Sequence, residues 1–341
     1  MKPRILLFLM AAAWSTTAAA PARPLDGPAA APKGGWTVIS DGVLADLEKE
    51  GKKPAWPGKT TGVAVDRTTG EAFLLIPGQG VWRTADRGGK FERVDGGKVG
   101  GRCETGWSVN VDPGGKRMVC FMLDGPSGYT LDGGKTWSGL AEMGRGWDYG
   151  AIDWTAAQPK VIFAARHESG GELHLSADFG KSWKKVGVEP KVMGVGVVDA
   201  ETLLLHRGSG IERSTDGGAS WTKVSELNPR SRVAVLFQGA VYWVSAAGLI
   251  ASRDGGKSWA VQGGAVDAIM GPFFGKDADH AVVVGKKGFF ETGDGGKTWK
   301  DAAPLPDPGC RVDWFGNYAW DPRGDVFFFA NMGQPARRFE R

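Results

Sequence analysis

The sequence predicts an all-β fold, a seven-bladed β-propeller built of four-stranded antiparallel blades, and three observations lead to it. An eight-residue phrase, Ser/Thr-x-Asp-x-Gly-x-Ser/Thr-Trp, occurs six times. Its spacing of about 40 residues indicates one supersecondary unit that is stacked repeatedly. The 341-residue chain contains 54 glycines, as expected of short strands joined by many turns. Short apolar runs surround each phrase in the same order.

Each unit predicts four strands, with the phrase between the third and the fourth. In the first unit, apolar strands are expected at Gly62–Val65, Ala72–Ile76 and Gly80–Thr84, before the phrase. Alternating or wholly apolar short runs are typical of an antiparallel meander. Stacking such sheets around a ring buries both of their faces. The six units span residues 62–94, 106–140, 149–186, 194–224, 232–262 and 267–302.

A seventh blade is predicted from the two ends of the chain. Three strands are expected at Asn317–Asp321, Asp325–Ala330 and Ala336–Glu340, and no fourth strand follows them. The segment Gly34–Ile39, which contains Trp36, resembles the residues that follow a phrase. It therefore supplies the missing strand and closes the ring. The alternative, an open array of six units, would leave strand edges unpaired.

The longest insertion, residues 40–60, lies between the first strand and the first complete blade. Residues 41–48 predict a short helix, with Asp41 at the N-cap. This helix either covers part of the ligand face or fills space beside the ring closure.

The phrase itself has the composition of a tight turn. Its aspartate can accept hydrogen bonds from nearby backbone amides, and the glycine two residues later suits a positive φ. The tryptophan begins the outer strand and packs on the blade. In the first copy, Lys90 and Phe91 replace the hydroxyl residue and the tryptophan, so one hydrogen bond should be lost and the packing kept. The six aspartates are Asp86, Asp132, Asp178, Asp216, Asp254 and Asp294.

The N-terminus has the layout of a secretory signal peptide. Basic residues precede an apolar run from Ile5 to Ala13, and small residues follow. The run is shorter than the ~20 residues that span a bilayer. Residues 1–22 are therefore predicted as the signal peptide, 23–33 as a linker and 34–341 as a single propeller, the alternative being a buried N-terminal strand. The protein is expected to be secreted or periplasmic, without membrane insertion after signal cleavage.

Charge and cysteine content restrict the partners. The chain has 42 basic and 38 acidic residues, and loss of Lys2 and Arg4 with the signal leaves 40 against 38. This near-neutral balance gives no support for nucleic-acid binding. The sequence has no Cys-x-x-Cys pair and its four histidines are dispersed, so no metal or cofactor is expected. Cys103 and Cys310 are the expected pair if a disulfide forms, and three free thiols are the alternative. A monomer is expected.

The phrase is identified as the Asp box, or BNR repeat, and the chain resembles the Asp-box β-propeller superfamily over nearly all of residues 34–341. That group includes sialidases, two-propeller xyloglucan hydrolases, sortilin-type receptors and photosystem assembly factors. In these families the Asp boxes lie away from the ligand face. The resemblance therefore implies that the six aspartates are structural and that a ligand binds on the opposite face.

The loops predicted on that opposite face combine arginine, carboxylate and tryptophan. Loops on a rigid scaffold commonly carry binding residues. Guanidinium groups bind carboxylates or phosphates, and aromatic faces bind sugar rings. The residues expected to bind a ligand are Arg102, Trp107, Arg145, Trp147, Arg166, His167, Arg230, Arg232, Arg311, Trp314 and Tyr318. The alternative is that most of them pack between blades or pair with neighbouring carboxylates.

Two functions follow from these loops. The first is an exported binding or scaffold module that recognises a glycan or a protein partner. The second is a glycoside hydrolase, sialidase-like or active on β-glucans, which needs two carboxyl groups, or a carboxyl and a tyrosine, ~5–9.5 Å apart. Candidates for that chemistry are the carboxyl groups of Glu104, Asp148, Asp153 and Asp313, with the hydroxyl of Tyr149 or Tyr318. The Phe/Tyr-Arg-Ile-Pro motif of sialidases is absent from the sequence, which favours binding.

Overall fold

A computed structural model describes residues 34–142, 146–307, 310–312 and 314–341. Within these ranges the chain forms seven four-stranded antiparallel sheets. The first strands of most neighbouring sheets contact one another, so the sheets are the blades of a ring and their first strands line its axis. The prediction of a seven-bladed β-propeller is confirmed. The predicted signal peptide and linker, residues 1–33, lie outside the described residues.

The chain begins with strand β1 (Trp36–Val38) and helix α1 (Asp41–Lys49). Blades one to three comprise β2 (Gly62–Val65), β3 (Ala72–Ile76), β4 (Gly80–Thr84), β5 (Glu92–Arg93), β6 (Val109–Val111), β7 (Met118–Cys120), β8 (Gly128–Thr130), β9 (Ser138–Gly139), β10 (Trp147–Ile152), β11 (Ile162–Arg166), β12 (Glu172–Ser176) and β13 (Lys184–Val188). Blades four to six comprise β14 (Gly194–Val197), β15 (Leu203–His206), β16 (Ile211–Ser214), β17 (Thr222–Ser225), β18 (Val235–Phe237), β19 (Ala240–Ser245), β20 (Gly248–Ser252), β21 (Ala260–Gln262), β22 (Ala268–Phe274), β23 (Ala281–Gly285), β24 (Gly288–Thr292) and β25 (Lys300–Pro304). Blade seven comprises β26 (Gly316–Asp321), β27 (Val326–Asn331), β28 (Arg337–Glu340) and β1.

Blade seven joins the two ends of the chain, as predicted. β1 pairs antiparallel with β28, with Trp36 opposite Phe339. The Trp36 ring lies 5.5–6.2 Å, centroid to centroid, from the rings of Phe289, Phe329 and Phe339. Its Nε1 donates a hydrogen bond to the Pro304 carbonyl oxygen, 2.9 Å away in blade six. One side chain therefore connects β1 to two blades.

Helix α1 forms where a helix was predicted, but its cap differs from the prediction. Ser40, not Asp41, occupies the N-cap position, and it makes no side-chain capping bond. The buried Ser40 hydroxyl instead accepts a hydrogen bond from the Ala336 amide, 3.0 Å away. Leu47 packs with Ile76 of blade one. The helix therefore lies beside the ring closure, because its capping serine is bound to blade seven.

Each phrase forms a hydrogen-bonded turn between the third and fourth strands of a blade. In blade four, Ser220 donates to the Asp216 carboxylate from both its hydroxyl (2.6 Å) and its amide (2.9 Å). The Ser214 hydroxyl donates to the same carboxylate and accepts from the Gly218 amide. Gly218 has a φ of +87°, a conformation that glycine adopts without strain. The carboxylate thus serves backbone and hydroxyl donors of its own turn.

The first copy of the phrase differs in the expected way. Lys90 donates only its amide to the Asp86 carboxylate, 2.9 Å away, because the hydroxyl of the other copies is missing. Phe91 still packs against the apolar core beside Trp82. One hydrogen bond is lost and the aromatic packing is kept.

A second set of turns, between the first and second strands of the blades, lies on the same face of the ring as the phrases. Four aspartates recur there and accept hydrogen bonds from amides of their own turns, at Thr68, Gly114, Val161 and Arg323; they are Asp66, Asp112, Asp153 and Asp321. We call this side the phrase face. The opposite side, formed by the loops between blades and those between second and third strands, is called the mouth face.

The three cysteines are free thiols. Cys103 and Cys120 are buried in one core cluster between blades one and two. Cys310 lines a separate cavity beside Arg311. The expected pairing of Cys103 with Cys310 is therefore wrong, because the Cys103 side chain points into the core. Burial raises the pKa of Cys103 to about 12, which disfavours the reactive thiolate.

Acid should weaken the phrase turns. Hydrogen bonds, the first of them from the hydroxyl groups of the phrase, lower the pKa values of Asp178, Asp216 and Asp294 to about 2. A carboxylate with a lowered pKa stabilises the fold above its ordinary pKa and loses that effect as the pH falls to its folded value. We expect the melting temperature to drop steeply between about pH 4 and about pH 2.

Thermal melts of variants at several pH values check this expectation. Asp216→Asn should show a shallower dependence on pH in that window than the parent protein, because one titrating group is gone. Asp301→Asn, on the exposed outer strand β25, is the matched control and should keep the parent dependence. Identical pH profiles for Asp216→Asn and the parent would contradict the assignment.

Candidate functional site

A cavity of about 420 Å³, the mouth cavity, opens on the mouth face. It is lined by the segments that lead into blades two, three, four, five and seven, and by the loop between β11 and β12. The structure brings together seven residues that the sequence singled out: Glu104, Asp148, Tyr149, Arg166, His167, Arg232 and Trp314. Glu168, Val192 and Phe315 also line it, and they were not predicted.

A β-bulge places Asp148 beside His167. Trp147 pairs with Arg166 and Tyr149 with Ala165, so Asp148 is the extra residue between two pairs. Bulges change the direction in which a side chain points. His167 follows directly after β11, and its Nδ1 lies 2.8 Å from Asp148 Oδ1.

The Asp148 carboxyl is buried and bound to an imidazole. Burial raises the pKa of Asp148, and the hydrogen bond from His167 and the charge of Arg232 act in the opposite direction. The other imidazole nitrogen, Nε2, lies 3.7 Å from the Glu168 carboxylate. One imidazole thus stands between two carboxyl groups, an arrangement that can hold or pass a proton.

Arg232 and the Trp314 ring together form one side of the mouth cavity. The Arg232 guanidinium carbon lies 4.7 Å from the centre of the Trp314 ring, and Arg232 Nη1 donates to the Met193 carbonyl oxygen at 3.0 Å. Stacking of a guanidinium on an indole is electrostatically favourable. Burial raises the pKa of Tyr149 to about 12, and the nearby charge of Arg232 acts in the opposite direction. The Tyr149 hydroxyl is therefore protonated at neutral pH.

Ion pairs hold Arg166 and Glu104 at the edge of the mouth cavity. Arg166 Nη1 lies 3.1 Å from Glu172 Oε1, and Glu172 also binds His174. Glu104 accepts a hydrogen bond from Arg102 Nε at 3.0 Å. These pairs fix the side chains and use part of their charge.

Several predicted residues lie away from the mouth cavity. Arg102 stacks on the exposed Trp56, 4.6 Å from its ring centre, and pairs with Asp124 as well as Glu104. Arg230 pairs with Asp267 at 2.7 Å.

Three predicted aromatic residues are buried instead. Trp147 is 3% exposed and packs against Trp183 at 4.6 Å. Trp107 and Tyr318 line a cavity along the ring axis, where Tyr318 donates to the Arg311 carbonyl oxygen. Arg311 itself lines a cavity of about 520 Å³ between Trp56 and blade seven. Arg145 and Asp313 lie outside the described residues.

No group of three or more His, Cys, Asp and Glu that could hold a metal ion occurs in the described part of the chain. Over the same residues, no helix has the length and apolar character needed to cross a membrane.

Comparisons place this architecture among known propellers. No family model and no curated protein matches the chain. The GH74 enzyme of Niastella koreensis superposes with a TM-score of 0.57 at 16% identity, over 82% of this chain and 43% of that one. YCF48 from Cyanidioschyzon merolae gives 0.45 at 15% identity over 85% and 98%, and YCF48 bound to a D1 peptide gives 0.48 at 14% over 85% and 96%.

This chain thus spans less than half the length of the Niastella koreensis enzyme. At such identities the likeness shows the β-propeller fold alone, since one fold carries many functions.

Proposed function

We propose that this protein is an exported binding module of the Asp-box propeller class that recognises a glycan or a protein partner in the mouth cavity. The observation that carries the proposal is the convergence of stacked Arg232 and Trp314 with the Tyr149 hydroxyl and the Asp148–His167 pair in one cavity. Export is supported by the signal-peptide layout of residues 1–22. The module acts as a monomer without a cofactor or metal, and it does not bind nucleic acid.

The chemistry of the cavity favours an acidic or hydroxyl-rich ligand. A guanidinium carries five N–H donors, more than the hydrogen bond of Arg232 to the Met193 carbonyl oxygen uses. Trp314 and Phe315 add half-buried aromatic surface. Acidic glycans and acidic peptide segments both offer oxygen acceptors next to apolar surface, which is what this cavity accommodates.

Arg232→Ala should weaken ligand capture at least ten-fold. Loss of hydrogen bonds to a charged donor costs ~1.5–3 kcal/mol, which corresponds to a factor of ten or more. The parent protein is screened against an array of acidic and neutral glycans and against a displayed peptide library, and the affinity of the best ligand is then measured for each variant.

Arg230→Ala is the matched control, because Arg230 lies two residues away and pairs with Asp267 outside the cavity. It should bind like the parent. Equal losses in Arg230→Ala and Arg232→Ala, or no ligand in either screen, would refute the assignment of the mouth cavity.

A specific observation also supports glycoside hydrolysis as a second candidate. Asp148 and Glu168 lie on opposite sides of His167, and burial raises the pKa of Asp148. A carboxyl with a raised pKa next to a second carboxylate is the arrangement that glycosidases use. The array glycans are therefore also assayed for released reducing ends. If the parent hydrolyses a glycan and Asp148→Asn binds that glycan without hydrolysing it, the protein is a glycoside hydrolase and not only a binding module.

A further inference from the structure

A second cavity, the central channel, runs along the ring axis and opens at the phrase face. Its volume is about 100 Å³, and it is lined by the first strands of blades one, two, five, six and seven. The walls are mostly apolar and include pairs of valines from three blades: Val63, Val65, Val109, Val111, Val233 and Val235. The charged side chains that line it are Arg67 and Asp112. It is a narrow apolar space with charge at one end.

A constriction separates the central channel from the mouth cavity. A Cβ added to Gly106 would collide with the Gly316 carbonyl oxygen and with the Met270 methyl group. Backbone from blades two and seven and a side chain from blade six therefore meet on the axis. Of the described residues, none lines both cavities. A ligand in the channel would contact none of the residues of the mouth cavity.

Arg67 supplies the charge at the open end. It lies two residues after the end of β2, and its guanidinium carbon lies 5.6 Å from the centre of the Trp320 ring. Its Nη2 is shielded from solvent and has no hydrogen-bond partner among the residues that the structure describes. Burial lowers the pKa of Arg67 to about 10, so the group remains cationic at neutral pH. A buried charged donor without a partner is costly, and a ligand acceptor would remove that cost.

The nearby carboxylates are engaged elsewhere. Asp112 accepts a hydrogen bond from Arg117 Nε at 2.5 Å, and Asp321 accepts one from the Arg323 amide at 3.0 Å. Both acids stabilise the charge of Arg67 through space, but neither provides an acceptor for its Nη2. The Nη2 group of Arg67 thus has no acceptor among the described residues, and an anion that enters the channel supplies one.

We propose that the central channel binds a short apolar monocarboxylate, with its carboxylate on Arg67 Nη2 and its hydrocarbon body among the valines. Apolar cavities of ~150 Å³ hold a molecule of the size of benzene, so the channel of about 100 Å³ holds about four carbons, and the remaining carbons of a six-carbon acid lie at its open end beside Arg67. Guanidinium–carboxylate hydrogen bonds are among the strongest in proteins. The site differs from the mouth cavity in face, lining residues and ligand, so it stands or falls independently of the proposed function.

Calorimetric titration with three six-carbon probes tests the proposal. Hexanoate should bind the parent protein at least ten-fold more tightly than hexan-1-ol, and hexylamine should not bind. Arg67→Met should lower the hexanoate affinity at least ten-fold and leave that for hexan-1-ol unchanged. Arg253→Met is the matched control on the same face, because Arg253 is exposed and bonded to Gln262, and it should bind hexanoate like the parent.

A channel-filling variant provides the second readout. Val111→Phe should abolish binding of both hexanoate and hexan-1-ol, since Val111 lines the channel. If Arg67→Met has a much lower melting temperature than the parent, Arg67→Lys is used instead. This variant keeps the positive charge but loses the planar guanidinium group, so it should bind hexanoate more weakly than the parent. Absence of hexanoate binding to the parent, or equal binding by the parent and the Arg67 variants, overturns the proposal.

Discussion

Replacing Trp36 by alanine is expected to lower the free energy of unfolding by about 2 kcal/mol, less than the ~3–5 kcal/mol of fully buried tryptophans, because its side chain is half-buried. The ring contacts Phe289, Phe329 and Phe339, and its Nε1 is bonded to the Pro304 carbonyl oxygen. The truncation removes these contacts together and leaves a cavity between β1 and two blades. The loss is large because this residue joins the strand that closes the ring.

Urea denaturation followed by far-ultraviolet circular dichroism measures the effect. Trp56→Ala is the control, because Trp56 is 68% exposed and stacks on Arg102 at the surface. Its expected cost is at most about 1 kcal/mol. Similar losses for the two variants would mean that the ring closure contributes little to stability.

Gly106→Ala is expected to destabilise the protein by about 3 kcal/mol, the upper end for overpacking. The new Cβ would meet the Gly316 carbonyl oxygen and the Met270 methyl group. A methionine can move aside, but the carbonyl belongs to β26 and is fixed by the sheet. The cost comes from displacing backbone at the constriction on the ring axis.

A glycine-to-alanine substitution in helix α1 should instead raise the free energy of unfolding. A Cβ on Gly42 meets nothing within 4 Å, and Gly42 lies in helix α1. Gly42→Ala should stabilise by about 0.5 kcal/mol, because alanine has the higher helix propensity. Denaturation curves of both variants give the comparison. A neutral Gly106→Ala would show that the two cavities are not separated by rigid backbone.

The architecture could be predicted from the sequence because each copy of the phrase occupies the same position in its blade. The six phrases mark the turn between third and fourth strands, so every strand could be counted from them. Trp36 indicated the ring closure for the same reason, since it occupies the position of the tryptophan that ends a phrase. The N-cap of α1 was not accessible, because Ser40 is engaged by Ala336 at the other end of the chain.

The loops that form the mouth cavity could be predicted from the sequence, but the contacts between their side chains could not. Arg230 and Arg232 lie in one loop, and only the position of Asp267 in the fold places the first outside the mouth cavity. Likewise, the bulge that directs Asp148 towards His167 depends on the pairing of β10 with β11. The central channel was not predicted, because an apolar first strand has the same sequence pattern whether it faces a packed core or a cavity on the ring axis.

The pairing of β1 with β28 also determines the order in which this protein can be completed. Trp36 is synthesised about 300 residues before its partner Phe339, so β1 stays unpaired while the six blades between them are being made. An unpaired strand edge is a template for wrong pairing, and slow long-range pairing prolongs that exposure. Blades one to six can each form from contiguous sequence as it emerges, whereas the ring itself is a late product of biosynthesis.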